Sequence, residues 1–172
     1  MFGRWLNHAS AVRELDGAEQ LELTVRSELP NADAETVLVV TAIVGLLGAV
    51  AYADSDYSVQ EQARVREELT RVDGMTPSGI EAVCAALKRH ILEIATVQSP
   101  HYSRVLRELA DQELRIQVLE MLVALAAADQ VITSAETNVM RQITTALGLT
   151  QRDYNAAQAK YRDRLAVLHV NT

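Results

Sequence analysis

Two short acidic stretches of this sequence carry the side chains best suited to chemistry. The first contains Asp54, Asp56 and Glu61, and the second, about 75 residues later, contains Asp129 and Glu136. Carboxylate oxygens are hard ligands of the kind that Ca²⁺ and Mg²⁺ prefer in proteins. Like charges held close together repel one another, and a bound divalent cation relieves that repulsion. If the two stretches meet in space, their five carboxylates predict one acidic cation site.

A purely structural role for the same carboxylates is favoured by the spacing alone. Ser58 with Glu61, and Thr133 with Glu136, match the capping box in which a hydroxyl and a Glu three positions later close the first turn of a helix. The aspartates that precede them suit turns, where short acidic side chains accept backbone N–H groups. Both interpretations stay open at this point.

An EF-hand calcium loop is excluded by the sequence. If Asp54 is taken as the first loop position, Val59 stands where glycine is required. Val65 then stands where the bidentate Glu belongs. Any cation site here has to be of another kind.

The elements around the acidic stretches also occur twice. An apolar run precedes each stretch and an amphipathic run follows it, ending at Gly74-Met75-Thr76 in the first copy and Gly148-Leu149-Thr150 in the second. The 172 residues are 49% hydrophobic and include only 7 Gly and 3 Pro, which favours helices. We therefore predict an all-α fold: a single helical bundle of about seven to nine helices built from two helix–acidic turn–helix repeats.

The chain is expected to form one domain over residues 1–172. Residues 1–30 would hold N-terminal helices, the second of them ending before Pro30, and residues 31–96 the first repeat. Asn31 or Asp33 caps the long apolar helix, and Thr76 caps a later one. Residues 97–104, broken at Pro100, are predicted to connect the halves, and residues 105–172 to form the second repeat.

The apolar run Val37–Ala53 is the one membrane candidate. Its 17 uncharged residues are at the lower limit for a spanning helix. Its flanks are acidic, however, and the corresponding run Leu114–Ala128 of the second copy carries charged residues. Related segments should occupy related environments, so we predict a central helix buried on most sides.

Charge and motif content narrow the function classes. A net charge of −7 repels nucleic acid and favours an interaction module for an unidentified protein partner. Cys84, the single cysteine, excludes an internal disulfide and is expected to be a buried thiol of a cytoplasmic protein. The sequence has no phosphate loop, nucleophile elbow or zinc-protease pattern, so we do not expect an enzyme. His90 and Glu93 share a helix face and are expected to be a solvated pair.

The only Phe and Trp lie near the N-terminus. Phe2 and Trp5 fall on one face of a predicted amphipathic helix. That face suits peripheral contact with a membrane interface or packing onto the bundle, and packing is favoured.

The repeated pattern Ala-Asp-x-x-x-[Ser/Thr]-x-x-Glu between an apolar and an amphipathic helix resembles the TerB-like proteins of bacterial tellurite resistance. The resemblance extends from about Val37 to Leu165, and a related domain precedes the J-domain of some DnaJ-like co-chaperones. It implies a helical bundle, a cytoplasmic or membrane-peripheral role in stress, no established enzymatic activity, and acidic residues that bind a divalent cation. Homo-oligomerisation is a further expectation.

Carried over by position, the resemblance implies a site for Mg²⁺ or Ca²⁺ made of Asp54, Asp56, Glu61, Asp129 and Glu136. The chain departs from the family pattern in both turns. Ser55 and Gln130 stand where the family usually has glycine, and Val131 stands where an acidic residue often follows. The second half of the site is therefore expected to be degenerate.

Overall fold

The computed structural model describes the backbone of residues 16–127 and 132–170, and the side chains as far as residue 162. Every regular element in these ranges is helical. The α-helices are α1 (Gly17–Glu28), α2 (Ala34–Ala51), α3 (Val59–Leu69), α4 (Pro77–Arg89), α5 (Ile91–Glu93), α6 (Ser99–Leu109), α7 (Gln112–Ala126), α8 (Ser134–Ala146) and α9 (Gln151–Val170). This arrangement confirms the predicted all-α bundle. Phe2 and Trp5 lie outside the described residues, so their predicted helix stays a prediction.

The helices begin where the capping residues of the sequence predict. The N-caps are Asp33 for α2, Ser58 for α3, Thr76 for α4 and Thr133 for α8, and each side chain accepts a backbone N–H of the first turn. These bonds satisfy amide groups that have no partner within the helix. The hydroxyl of Thr150 accepts the N–H of Asp153 at 3.3 Å at the start of α9.

The two glycine turns have the same backbone conformation. Gly74, after α3, has φ of 82°, and Gly148, after α8, has φ of 71°. Glycine adopts this left-handed region without the steric cost that a side chain adds. Gly148 directly follows Leu147, the C-cap of α8, whereas Gly74 stands four residues beyond Thr70, the C-cap of α3. The two tripeptides therefore share the glycine conformation but not the way in which the preceding helix ends.

Helix α2 forms the centre of the bundle. It packs against α1, α3, α4, α6, α7 and α8, and from Val44 to Ala51 every residue is buried. Among the described residues, α2 is the one helix long and apolar enough to span a membrane, with a mean hydropathy of 2.1, and 67% of it is buried inside the protein. Burial on most sides is what we predicted for this segment.

The predicted connector over residues 97–104 is helical, which corrects the expectation of a break at Pro100. A π-helical segment, Ile94–Gln98, runs directly into α6, and Pro100 lies in the first turn of that helix. Proline has no N–H to donate, and its ring crowds the carbonyl four residues earlier. A widened π turn accommodates both effects without ending the helix.

Helix α6 approaches α2 closely at a glycine. A Cβ atom on Gly45 would overlap the ring of Tyr102, which is 2% exposed. The missing side chain on α2 therefore makes the space in which this ring packs.

The start of α1 is held by the side chains of His90 and Glu93, which lie near the end of the first repeat. Glu93 accepts the N–H of Gly17 at 3.0 Å, and His90 Nε2 lies 3.2 Å from the side-chain oxygen of Gln20. The expectation of a solvated pair for His90 and Glu93 is therefore wrong. Both side chains contact α1, which lies about seventy residues away in sequence. Helix spacing alone could not predict these contacts.

Candidate functional site

The first acidic turn joins α2 to α3, and its two aspartates are exposed. Asp54 Oδ1 accepts the N–H of Asp56 at 3.0 Å, and Asp56 Oδ1 accepts the N–H of Tyr57 at 2.9 Å. Ser55, between them, has φ of 70°, the left-handed region that favours glycine. Glycine, which the TerB-like resemblance implies at this position, adopts this conformation without the steric cost of a side chain.

Glu61 completes the capping box at the start of α3. Its Oε2 accepts the N–H of Ser58 at 2.6 Å, and its own N–H donates to Ser58 Oγ at 3.2 Å. Burial is the main cause that raises the pKa of the Glu61 carboxyl. The hydrogen bonds with Ser58 act in the opposite direction, and the nearby charges of Asp54 and Asp56 raise the pKa further. The three carboxylates of this turn therefore interact electrostatically.

The second acidic turn is described only in part. Glu136 accepts the N–H and the hydroxyl of Thr133 at 2.7 and 2.8 Å, which is the second predicted capping box. Asp129, together with Gln130 and Val131, lies outside the described residues. The proposed meeting of the two acidic turns thus stays a prediction.

A complete metal site is not formed by the described residues. Among the side chains of residues 16–127 and 132–162, no three His, Cys, Asp or Glu residues form a group that could hold a metal ion. Asp54, Asp56 and Glu61 are close in sequence and act on one another, but each also accepts a backbone N–H. A cation at this turn would share its ligands with the turn's own hydrogen bonds.

Behind the first turn, two groups that can ionise are buried. The thiol of Cys84 is 8% exposed, and burial raises its pKa to about 11, so it is protonated at neutral pH. The hydroxyl of Tyr57 is buried without a hydrogen-bond partner in the described part of the chain. On the surface nearby, the Arg66 guanidinium donates to both carboxylate oxygens of Glu81 and ties α3 to α4. The predicted buried thiol is confirmed.

Sequence reasoning missed two buried polar side chains. Glu68 is 8% exposed and lies 2.9 Å from Arg71 at the end of α3. Tyr102 is buried on α6, with a hydroxyl that has no partner among the described residues. The pattern of apolar residues around Glu68 does not predict that this glutamate is buried. Tyr102 falls in the segment that was predicted to be a connector.

Comparison with known proteins agrees with the pattern in the sequence. The family described as tellurite resistance protein TerB matches residues 40–159, well over half of the chain. The match begins within α2 and ends within α9, and it includes both acidic turns. No curated protein and no solved structure gives a significant match. The chain therefore belongs to the TerB family.

Proposed function

We propose that this TerB-family protein is non-enzymatic and binds a divalent cation, Mg²⁺ or Ca²⁺, through its first acidic turn. The observation that carries the proposal is the placement of the Asp54, Asp56 and Glu61 carboxylates on one turn, where each uses one oxygen for a backbone N–H of the turn. The two aspartates raise the pKa of the Glu61 carboxyl, in addition to the larger effect of burial. Carboxylates that repel one another at an exposed turn gain most from a hard cation.

The hydrogen bonds of the turn leave oxygen atoms for a ligand. Asp54 and Asp56 each use Oδ1 for a backbone N–H, and Glu61 uses Oε2. The remaining oxygen of each carboxylate has no hydrogen-bond partner within the described residues. A cation that keeps several water molecules fits such a partial ligand set, since Mg²⁺ is often held by only one or two carboxylates.

The second candidate function is an acidic interaction module without a metal. The observation that favours it is the occupation of Glu61 and Glu136 in capping boxes. On this account the turn carboxylates are structural, and the net charge of −7 directs the protein to a basic surface of a protein partner. A cytoplasmic or membrane-peripheral location in a stress response is compatible with both candidates.

Thermal unfolding of the full chain, stripped of metal with a chelator, separates the two. The protein is titrated with Mg²⁺, Ca²⁺, Zn²⁺ and Mn²⁺, as wild type and as the double variant Asp54→Asn, Asp56→Asn. Asparagine keeps a side-chain oxygen that accepts the same backbone N–H, so the turn is retained while its charge is removed. A cation at about 100 times its Kd should stabilise the wild type by roughly 2.7 kcal/mol. The double variant should lose that gain.

The matched control removes two charges elsewhere. Asp33 and Asp111 cap α2 and α7 and are exposed, so Asp33→Asn with Asp111→Asn should leave the cation response intact. Asp129→Asn, tested separately, reports whether the second turn contributes. If millimolar cation leaves the wild type unchanged, or stabilises the Asp54, Asp56 variant equally, cation binding at this turn is wrong and the interaction module is preferred.

A further inference from the structure

An open cavity lies where α1, α2 and α6 meet, beside the ring of Tyr102. Its volume is about 190 Å³, the space of roughly six water molecules. Leu38 of α2 and Val105 of α6 provide apolar walls, and both side chains are partly exposed. The cavity therefore has room for one large apolar side chain, but not for a whole helix.

Uncovered apolar surface continues at the edge of this cavity. Val97 directly precedes Gln98, which lines the cavity, and Val97 is 65% exposed. A single exposed apolar side chain is ordinary on a protein surface, but this one adjoins a cavity that has apolar walls of its own. A covering segment would bury all of these side chains together.

Residues 1–15 join the bundle at this place, because Asp16, the N-cap of α1, lines the cavity. The sequence of this segment predicts an amphipathic helix with Trp5 on its apolar face. At a rise of about 1.5 Å per residue, a helix that turns back after Val12 carries Trp5 about 10 Å along α1. The lining residues Asp16 and Glu22 are about 9 Å apart along the same helix. Trp5 can therefore reach the cavity.

The segment and the cavity also carry opposite charges. Residues 1–15 contain Arg4 and Arg13 and a single glutamate. The α1 side of the cavity carries three carboxylates, those of Asp16, Glu19 and Glu22, and no Lys or Arg lines it in the described part of the chain. Two of these carboxylates belong to the capping box of α1, so it is their negative charge that attracts the segment, not a free oxygen atom.

We propose that this cavity is the docking site for residues 1–15 of the same chain, with the indole of Trp5 packed against Leu38 and Val105. Arg4, one position away, lies near the carboxylates of α1. Docking of this kind buries the one tryptophan of the chain and covers the apolar surface between α1 and α6. It does not depend on cation binding, because neither acidic turn contributes to the cavity.

Fluorescence of the full chain tests the proposal, because Trp5 is the single tryptophan and reports on this segment alone. We expect emission at a shorter wavelength than in the urea-unfolded chain, with weak quenching by acrylamide. Val105→Glu places a charge in the wall against the indole. It should shift the emission towards that of the unfolded chain and raise the quenching constant severalfold. In the wild type, nuclear Overhauser contacts should join the Trp5 ring to the methyl groups of Leu38 and Val105.

Val59→Glu is the matched control. It places the same charge at an apolar residue that is 78% exposed and does not line the cavity, so the emission of Trp5 should be unchanged. Circular dichroism shows whether each variant is folded. The Overhauser contacts need no variant, so they decide the outcome where Val105→Glu does not fold.

Three results would overturn the proposal. The first is a wild-type Trp5 that acrylamide quenches as strongly as in the unfolded chain, including the case in which only vesicles of anionic lipid shift its emission. The second is a set of Overhauser contacts from the indole to residues outside the cavity. The third is an emission that changes with protein concentration, because the segment would then dock on a second copy of the chain.

Discussion

At the scale of single residues, Ser55 occupies a backbone conformation that is costly for a side chain. Its φ of 70° lies in the left-handed region, where an L-residue other than glycine costs roughly 1–2 kcal/mol. Glycine avoids this cost but loses more freedom on folding. We expect Ser55→Gly to raise the free energy of unfolding by about 0.5–1 kcal/mol, or a few degrees in Tm for a chain of this length. Ser55→Val should lower it by at least as much, because β-branched residues are least tolerated there.

Both variants are checked by thermal and urea unfolding. The side chain of Ser55 is exposed, so lost contacts do not complicate the comparison. Equal stability of the Gly and Val variants would show that the turn is not under backbone strain.

The raised pKa of Glu61 predicts a pH dependence of stability. Because the folded pKa lies above the unfolded one, the folded state holds the proton to higher pH. The contribution of this group is fully present below the unfolded pKa and is lost as pH rises through the folded pKa. Gln keeps the capping box, so Glu61→Gln should gain stability relative to wild type at pH 7, and this gain should disappear as the pH falls through the glutamate range.

Urea unfolding between pH 3 and pH 7 measures the difference between the two proteins. A carboxyl titration of Glu61 followed by NMR measures the pKa directly, and saturating Mg²⁺ should move it downward if the cation binds. A pKa of Glu61 below that of an exposed glutamate would contradict the electrostatic account.

Removal of the hydroxyl should have opposite effects at Tyr102, which is buried, and at Tyr161, which is partly buried. Tyr102 has no partner for its hydroxyl among the described residues, so Tyr102→Phe should keep or raise the free energy of unfolding, by up to about 1 kcal/mol. Tyr161 donates to the carbonyl of Ala127 at 3.0 Å, so Tyr161→Phe should lower it by about 1 kcal/mol. Chemical unfolding of both variants provides the comparison, and destabilisation by Tyr102→Phe would mean that the hydroxyl has a partner in solution.

At the scale of helices, the close contact of α2 with α6 depends on one glycine. Gly45→Ala places a methyl group into the ring of Tyr102, and overpacking of this kind costs about 1–3 kcal/mol. The expected result is a lower urea midpoint with an unchanged dependence on urea. In a double-mutant cycle with Tyr102→Ala, the penalty of Gly45→Ala should shrink, because the ring that it meets is gone. Additive effects would contradict the packing account.

The ease of predicting each helix follows from how local its determinants are. Capping boxes involve residues three positions apart, so Ser58 with Glu61, and Thr133 with Glu136, were readable from the sequence. The continuation of the helix through Pro100 was not, because a π turn depends on whether packing against α2 repays its poorer hydrogen bonds. The contact of Glu93 with Gly17 could not be predicted from the sequence either, since it joins residues far apart in the chain.

At the scale of the whole molecule, composition and duplicated pattern were sufficient for the all-α class and for the central position of α2. They were also sufficient to group Asp54, Asp56 and Glu61, which one turn holds together. The distance between the two acidic turns could not be predicted from the sequence, because it depends on how the two halves of the chain pack. The cavity beside Tyr102 could not be predicted either, since three helices that are distant in sequence form its walls.

The central claim, cation binding by the first acidic turn, is tested most directly by paramagnetic broadening. Mn²⁺ is added in small steps to the ¹⁵N-labelled full chain, and the amide signals are followed residue by residue. The account predicts that the amides of residues 54–61 broaden first, that excess Mg²⁺ restores them, and that Asp54→Asn with Asp56→Asn abolishes the effect. Broadening that is uniform over the acidic surface, or that begins elsewhere and ignores these substitutions, would contradict it.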